Sequence, residues 1–241
     1  MTIEVQKPGL LSSFQDLGRT GCQHLGIPVG GAMDELSHRL ANLVLGNPEH
    51  EATLEITLMG PALRFTTEAV VAWCGADLSP VLEGAPLPCA TPVPVPAGAT
   101  LQFGQRMSGL RAYLAVRGGF ALVPFMGSTS TYARAGLGGH EGRALRKGDV
   151  VALEGAGSGA SPTQAAKLAL QTLLDVAPGA PIRVLPGREW DQFTAAARRA
   201  LLSQPYRISA QSDRMGYRLE GPVAAFRVDH DRTRAGLAAG A

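Results

Sequence analysis

The sequence of 241 residues has few aromatic side chains, few cysteines and no long apolar run, and each shortage excludes a class of protein. No apolar run approaches the roughly 20 residues that cross a bilayer, and the start of the chain lacks a signal-peptide pattern. The formal net charge is +2 and no Lys/Arg run reaches five residues, which gives a nucleic-acid role little support. The sequence therefore indicates a soluble, cytoplasmic protein without a membrane or nucleic-acid partner.

The sequence also lacks the common motifs of catalysis and metal binding. It has no G-x-x-x-x-G-K-[ST] phosphate loop and no G-x-S-x-G elbow, and its five histidines show no metal-ligand spacing, so no metal site is expected. Cys22, Cys74 and Cys89 are odd in number and unclustered along the chain, which is typical of reduced intracellular thiols. A site in this protein would have to be assembled from loops distant in sequence.

Glycine and proline are abundant, and they divide the first 155 residues into short β-favouring runs. The chain holds 30 Gly and 17 Pro, as expected for many tight turns between short strands. Pro92, Pro94 and Pro96 restrict their stretch to an edge strand or an extended arm. The spacing predicts a mainly β fold with a few short helices and a closed or nearly closed barrel. The predicted strands are Ala52–Leu58, Ala62–Thr66, Ala69–Trp73, Thr100–Phe103, Arg111–Val116 and Asp149–Leu153.

One helix is predicted over residues 34–45, with an apolar stripe of Leu36, Leu40, Leu43 and Val44. Asp34 is placed to cap its start, and the sequence GNP from residue 46 ends it. A second helix is predicted over 189–202 after a strand over 181–186. Between the two halves we expect a linker over 154–164 and a helix over 165–176.

The chain begins to repeat itself and then stops. Residues 58–65 (LMGPALRF) and 219–226 (LEGPVAAF) share the frame L-x-G-P-x-x-x-F, and a predicted helix precedes each. After the second Gly-Pro only 19 residues remain. We therefore expect a β-barrel subdomain over 1–155, a linker and helix over 156–180, and the start of a second, incomplete barrel over 181–241.

Three loops contain candidate ligand-binding residues. In the first, residues 14–19, Asp16 and Arg19 flank a glycine after a short strand, and they form either a turn with a surface ion pair or part of a substrate site. The second, residues 127–143, combines glycines and hydroxyl residues whose N–H groups can converge on an anion. It is either a solvated loop or an anion clamp for a carboxylate or phosphate. Its candidate substrate-binding residues are Ser128, Ser130, Arg134, His140 and Arg143.

The third loop, residues 212–218, contains Asp213, Arg214 and Tyr217, as either a β-turn with a salt bridge or a substrate-orienting group. Asp34 and His38 share a helix face, where a structural ion pair is favoured over an acid–base couple. Glu55 alternates with apolar residues in a predicted strand and faces either a barrel mouth or solvent. The candidate catalytic residues are Asp34, Glu55, Asp213 and Tyr217, and Arg19 and Arg214 join the substrate-binding set.

Several ordered motifs resemble the biotin-dependent carboxyltransferase family, also named KipA, the C subunit of 5-oxoprolinase or allophanate hydrolase subunit 2. The resemblance runs from about residue 3 to about residue 222. The motifs are residues 30–34 (GGAMD), 41–47 (ANLVLGN), 54–57 (LEIT), 60–61 (GP), 113–119 (YLAVRGG), 127–130 (GSTS), 187–190 (GREW) and 212–219 (SDRMGYRL).

The resemblance implies two tandem cyclophilin-like β-barrel subdomains and a partner, the KipI-like subunit also called allophanate hydrolase subunit 1. It implies a subunit of an ATP-dependent 5-oxoprolinase, which opens 5-oxo-L-proline to L-glutamate with a third, lactam-handling subunit. ATP is then a cofactor of the complex, and biotin is not attached to this chain, which has no Met-Lys-Met-like site. The resemblance supplies no catalytic role for an individual residue.

Two other functions are compatible with the same resemblance. The chain either sequesters the KipI-like protein as a non-catalytic antagonist or acts as the carboxyltransferase component of a urea carboxylase or allophanate system. Relatives continue beyond the second Gly-Pro for some 80–100 residues, and residues 226–241 do not resemble that continuation. A premature stop or frame shift near residue 223 is therefore our expectation, with lower stability than a longer relative because an unfinished barrel leaves strand edges unpaired.

Overall fold

Short strands supply most of the regular structure in the computed structural model, which describes residues 1–155, 180–214 and 216–221. The chain divides into two units, residues 1–176 and 177–241. Among the described residues every strand pair is antiparallel, although most neighbours within a sheet are distant along the chain.

The first unit contains two antiparallel sheets. Their strands are β1 (Thr2–Lys7), β2 (Leu11–Gln15), β3 (Thr53–Thr57), β4 (Ala62–Phe65), β5 (Ala69–Asp77), β6 (Val81–Leu82), β7 (Ala85–Pro86), β8 (Val93–Val95), β9 (Thr100–Gln102), β10 (Ser108–Val116) and β11 (Val150–Ala152). In the six-stranded sheet the order is β11-β1-β4-β9-β6-β7, and in the five-stranded sheet it is β2-β3-β10-β5-β8.

Both sheets contribute to one apolar core. Val5 and Phe65 of the six-stranded sheet cluster with Phe14, Leu54 and Leu114 of the five-stranded sheet, and all are at most 2% exposed. Their alternation along each strand follows from the two-residue period of a β-strand. The predicted mainly β fold is confirmed, but within the described residues the two sheets stay separate and do not close into one barrel.

The helix α1 (Glu35–Leu45) packs on the opposite face of the five-stranded sheet, against Tyr113 and Cys74. As predicted, Asp34 caps its start and Gly46 ends it in the left-handed conformation. The predicted apolar stripe is wrong in part, because Leu36 and Leu43 are exposed. The buried residues of the helix are Ser37, His38, Leu40, Ala41, Asn42, Val44 and Leu45. The helix face that covers the sheet is therefore partly polar.

Most predicted strands of this unit are present, and the differences are local. β5 and β10 continue beyond the predicted runs, and β8 is an edge strand, as its prolines require. β1 was not predicted, and β2 is the short strand expected before the loop of Asp16. β2 contains Ser12, Ser13 and Gln15, which are buried because the residues near 131 and 145 cover its outer edge.

In the second unit the described residues form a short 3₁₀ turn (Trp190–Gln192), a helix α2 (Ala195–Ser203) and a strand pair, β12 (Arg207–Ile208) with β13 (Leu219–Glu220). The helix is shorter than the predicted 189–202 at its start, because Thr194 caps it. The predicted strand over 181–186 is wrong, since these residues form no ladder.

Some predicted elements lie outside the residues that the structure describes. The expected helix over 165–176, most of the linker over 154–164 and the end of the second repeat frame lie outside the described residues. Within the described ranges, neither helix has the length and apolar character that a bilayer crossing requires.

Candidate functional site

The carboxylate of Asp16 is the centre of a buried polar cluster after β2. One oxygen accepts hydrogen bonds from the N–H of Gly18 at 2.7 Å, from Ser128 Oγ at 2.7 Å and from Ser130 Oγ. The other accepts from the N–H of Thr129 at 2.6 Å and from its Oγ1 at 3.1 Å. Residues more than 110 positions apart in sequence thus meet at one carboxylate.

These donors keep Asp16 ionised although it is only 8% exposed. Burial alone would raise the pKa of the carboxyl. The hydrogen bonds from Ser130 and Ser128 and from the N–H groups of Gly18 and Thr129 outweigh it and hold the pKa below the ordinary 3.8. Asp16 is therefore a fixed negative charge that orders the segment 128–130.

Arg19 lies in the same cluster and is 1% exposed. Its Nη2 donates to the carbonyl of Ser130 at 2.6 Å, its Nε donates to the carbonyl of Phe125 at 3.3 Å, and its guanidinium carbon is 5.9 Å from the centre of the Phe125 ring. Its Nη1 is buried without a hydrogen-bond partner among the described residues. The surface ion pair between Asp16 and Arg19 is therefore wrong, since both are buried and the guanidinium bonds to carbonyls.

Carbonyl oxygens orient the Arg19 guanidinium but do not neutralise it. A buried cation with an unsatisfied N–H is costly, by about 1–3 kcal/mol for the hydrogen bond alone. Such a group is suited to an anionic ligand, because a carboxylate or phosphate would supply both the charge and the acceptor. This is the strongest indication of a binding site among the described residues.

One glycine makes the position of Arg19 possible. At Gly138 a Cβ would lie 2.7 Å from Nη2, and its φ of +66° also disfavours a side chain. Gly30 lies beside the unpartnered nitrogen, where a Cβ would be 3.8 Å from Nη1, an ordinary contact distance. The segment around Gly30 therefore borders the buried Nη1.

The glycine- and hydroxyl-rich loop is pinned to the outer edge of β2. The N–H of Thr131 donates to the carbonyl of Phe14 at 2.9 Å, and the N–H of Leu145 donates to that of Ser12 at 2.9 Å. Ser128 and Ser130, predicted to bind a ligand's anion, donate instead to Asp16. The loop therefore forms one wall of the site. The group available to bind an anion is the Arg19 guanidinium and not a set of backbone N–H groups of the loop.

The other predicted members of this loop lie apart from Asp16. Arg143 donates to both carboxylate oxygens of Asp149, at 2.7 and 2.9 Å, and also pairs with Glu141. The hydrogen bonds to Asp149 raise the pKa of Arg143, and those from Arg143 lower the pKa of Asp149. His140 Nε2 is 3.8 Å from the same carboxylate, and Arg134 is exposed. The predicted clamp of three cations on one ligand is thus not assembled in this structure.

Tyr113, which the sequence did not indicate as a site residue, links the Glu55 carboxylate to the backbone of Asp34. Tyr113 Oη donates to Glu55 Oε2 at 2.9 Å and accepts from the N–H of Asp34 at 2.8 Å, while the N–H of Met33 donates to the same glutamate oxygen at 3.0 Å. Arg111 Nε lies 3.5 Å from Glu55 Oε1. Burial, reinforced by the charge of Glu55, raises the pKa of Tyr113 and keeps it a donor. Of the two orientations open for Glu55, the solvent-facing one is wrong, since the residue is 2% exposed.

The segment from residue 29 to residue 34 connects the two polar groups. The N–H of Arg19 donates to the carbonyl of Val29, and the N–H of Ala32 donates to that of Asp16, both within 2.9 Å. The next two N–H groups belong to Met33 and Asp34 and bind Glu55 and Tyr113. A shift of this segment would therefore affect both the Arg19 centre and the Glu55–Tyr113 pair.

His38 lies on the buried face of α1 and does not form the predicted pair with Asp34. Its Nδ1 lies 2.8 Å from Thr53 Oγ1, while the Asp34 carboxylate accepts from the N–H and hydroxyl of Ser37. Burial, reinforced by Arg39 and opposed by Asp16, lowers the pKa of His38 from 6.5 to about 4. The predicted helix-face ion pair is wrong because the two side chains point to different partners.

This buried histidine predicts a pH-dependent stability. The unfolded chain takes up a proton near pH 6.5 and the folded chain only near pH 4, so the free energy of unfolding falls as the pH drops through this window. We expect a loss of about 2 kcal/mol between pH 7 and pH 5. Urea unfolding of the wild type and His38→Gln at both pH values measures it. An equal pH dependence in the two proteins would contradict the assignment.

The remaining predicted residues belong to the second unit. Asp213 and Gly216 exchange backbone hydrogen bonds at 3.1 and 3.3 Å, which is the predicted turn. Tyr217 is 40% exposed and Arg214 is half-buried. The structure therefore places Asp213, Arg214 and Tyr217 together with one another, and their catalytic and binding roles stay predictions.

A separate cavity of about 540 Å³ in the first unit shares no lining residue with these polar groups. Its walls are mainly apolar side chains, with Glu68, Arg117 and Glu154 as its charged members. Volume alone does not identify a site, so the Arg19 cluster remains the better candidate.

Comparisons with known proteins find relatives over nearly the whole chain. The family model described as carboxyltransferase domain, subdomain A and B, matches residues 25–241, which extends beyond residue 222, where the sequence motifs end. Among curated proteins, the C subunit of 5-oxoprolinase from Escherichia coli (strain K12) is 35% identical over 238 residues, covering 99% of this chain and 74% of the relative. Urea amidolyase of Saccharomyces cerevisiae is 34% identical over 234 residues, covering 91% of this chain and 12% of the relative.

Solved structures of urea carboxylase and urea amidolyase are also similar to this chain. The crystal structure of the Kluyveromyces lactis urea carboxylase is similar with a TM-score of 0.83 and 34% identity, covering 94% of this chain and 21% of that one. The K. lactis urea amidolyase structure has a TM-score of 0.77 and 33% identity, covering 94% of this chain and 14% of that one. Taken with the match of the family model over most of its length, the chain belongs to the biotin-dependent carboxyltransferase family.

Proposed function

We propose that this chain is a subunit of an ATP-dependent 5-oxoprolinase, which opens 5-oxo-L-proline to L-glutamate. The proposal is supported by the 35% identity to the E. coli 5-oxoprolinase C subunit and by a second relative of that name in Haemophilus influenzae, 33% identical over 210 residues. A subunit name in both relatives supports a multi-subunit hydrolase. In this proposal the partners are a KipI-like subunit and a third, lactam-handling subunit.

The buried Arg19 guanidinium is the observation that favours 5-oxoproline over urea as the substrate. Its charge is unpaired within the described residues, and its Nη1 lacks an acceptor. The carboxylate of 5-oxoproline supplies an anion for this nitrogen, whereas urea is neutral and offers only a carbonyl oxygen. Binding of the carboxylate would satisfy the guanidinium and hold the lactam ring in one orientation.

The other residues of the cluster act by positioning in this proposal. Asp16 fixes Ser130, whose carbonyl oxygen holds the Arg19 side chain. Glu55 and Tyr113 hold the segment 29–34, which borders Nη1 at Gly30. ATP supplies the free energy for opening the lactam, and we assign its binding to the complex because the chain has no phosphate loop.

A second candidate function is the carboxyltransferase step of a urea carboxylase. It is favoured by the TM-score of 0.83 to the K. lactis urea carboxylase over 94% of this chain. It requires a biotin carrier elsewhere, which would present carboxybiotin to this chain.

Reconstitution separates these functions. The chain is co-expressed with its KipI-like and lactam-handling partners, and ATP hydrolysis and glutamate release are measured with and without 5-oxoproline. We expect ATP turnover that depends on 5-oxoproline and releases glutamate. Stable assembly without such turnover would instead favour the antagonist role. Carboxylation of urea by added carboxybiotin would favour the carboxyltransferase.

A further inference from the structure

Cys74 and Cys89 lie together in the fold, although fifteen positions separate them in the sequence. The sequence alone did not indicate this pair. Cys74 lies in β5, fully buried beneath α1, and Cys89 packs against the same cluster with its side chain half-buried. The N–H of Ala90 donates to the carbonyl of Trp73 at 2.9 Å, which holds the segment after β7 beside β5. The two thiols hydrogen-bond to each other.

The surroundings of the two sulfurs are unequal. Cys89 accepts a hydrogen bond from the Cys74 thiol and from the N–H groups of Gly75 and Ala90, and these donors lower the pKa of Cys89 against the opposing effect of burial. The same thiol–thiol bond, reinforced by burial, raises the pKa of Cys74. Cys89 is also the partly exposed thiol of the two, and Cys74 is fully buried behind it. A partly exposed cysteine backed by a second cysteine is the arrangement found in redox-sensing pairs.

We propose that Cys74 and Cys89 form a reversible intramolecular disulfide on exposure to a low-molecular-weight disulfide such as glutathione disulfide. The Cys89 thiolate attacks one sulfur of that disulfide and expels the first thiolate. Cys74 loses its proton to solvent or to the expelled thiolate, attacks Cys89 Sγ and expels the second. Two protein thiols are oxidised to one disulfide, and the small disulfide is reduced to two thiols.

The disulfide would form one strand away from the Glu55 network. Cys74 is the cross-strand partner of Tyr113, and Tyr113 in turn faces Glu55 across the next pair. The inference does not depend on the proposed enzymatic function, because it concerns two thiols that take no part in the Arg19 centre.

The experiment uses the full chain with Cys22→Ser, which leaves Cys74 and Cys89 as the two thiols. After incubation in glutathione buffers of decreasing reducing strength, free thiols are blocked and the protein is digested with Glu-C protease and trypsin. Cleavage after Glu68, Glu83 and Arg106 puts the two cysteines on separate peptides, residues 69–83 and 84–106. Trypsin alone would leave both on one peptide, so the second protease is needed.

We expect the two peptides to be recovered cross-linked, and reduction with dithiothreitol to separate them. In Cys74→Ser the mixed disulfide of Cys89 with glutathione accumulates, whereas Cys89→Ser leaves Cys74 unmodified. Alkylation of Cys89 is slower in Cys74→Ala than in Cys74→Ser, which keeps a hydroxyl donor. Recovery of both peptides with free thiols, or with glutathione on Cys89 and no cross-link, would overturn the proposal.

Discussion

Replacement of Arg19 by methionine is expected to abolish most of the activity without unfolding the protein. Methionine fills a similar volume and removes a buried, unpaired charge, which offsets the loss of the hydrogen bonds to Ser130 and Phe125. We expect the free energy of unfolding to stay within about 2 kcal/mol of the wild type. In contrast, kcat/KM for 5-oxoproline in the reconstituted complex should fall about 100-fold, since the substrate loses its charged partner.

Arg39→Met is the matched control for this variant. Arg39 pairs with Glu35 and Glu49 on the surface of α1, so its loss should cost about 0.5 kcal/mol and leave turnover unchanged. Urea unfolding and steady-state kinetics on the same preparations give both quantities. If Arg19→Met lost stability and activity in parallel, Arg19 would be a structural residue and the proposed anion site would be wrong.

The largest loss of stability is expected from Asp16→Ala. The substitution leaves five hydrogen-bond donors of Gly18, Ser128, Thr129 and Ser130 facing a void, because all converge on this one carboxylate. We expect a cost of about 3–5 kcal/mol, since the donors are buried and charge-assisted bonds are lost. The segment 128–130 should detach from β2, and with it the carbonyl that holds Arg19.

A fluorescence assay assigns this loss to the first unit. The chain has two tryptophans, and Trp190→Phe leaves Trp73, which is buried in the core of the first unit, as the only reporter. In that background Asp77→Ala is the control, because the Asp77 carboxylate accepts a hydrogen bond from Ser79 at an exposed turn. The control should cost about 0.5 kcal/mol or less. Equal effects of the two substitutions would show that Asp16 is not the organising centre.

The strands and helix of the first unit follow largely from local sequence. The runs at 53–57, 62–65 and 100–102 are bounded by turn residues and carry β-favouring side chains, and Asp34 and Gly46 give the helix its ends. The short strand expected before Asp16 is β2, but the burial of its serines and glutamine was not predicted, because a segment more than 110 residues further along the chain covers them. Local pattern contains no information on such a contact.

The site was less predictable for the same reason. The residue types of the loop 127–143 indicated anion binding, and its hydroxyls do bind an anion, but that anion is Asp16 of the same chain. Arg19 was a candidate, yet its position requires a glycine at 138, and no spacing rule brings these two residues together. The Asp34–His38 pair failed because the spacing of a helix places residues on one face without deciding which partner each side chain takes.

The most direct test of the carboxylate site compares 5-oxoproline with 2-pyrrolidinone, the same lactam ring without the carboxylate, in the reconstituted complex. The kcat/KM of ATP-coupled turnover is measured for the wild type and Arg19→Met with each compound. We predict that the substitution lowers kcat/KM for 5-oxoproline about 100-fold and leaves the low value for 2-pyrrolidinone unchanged. An equal loss for both compounds, or no loss for 5-oxoproline, would contradict the assignment of Arg19 to the substrate carboxylate.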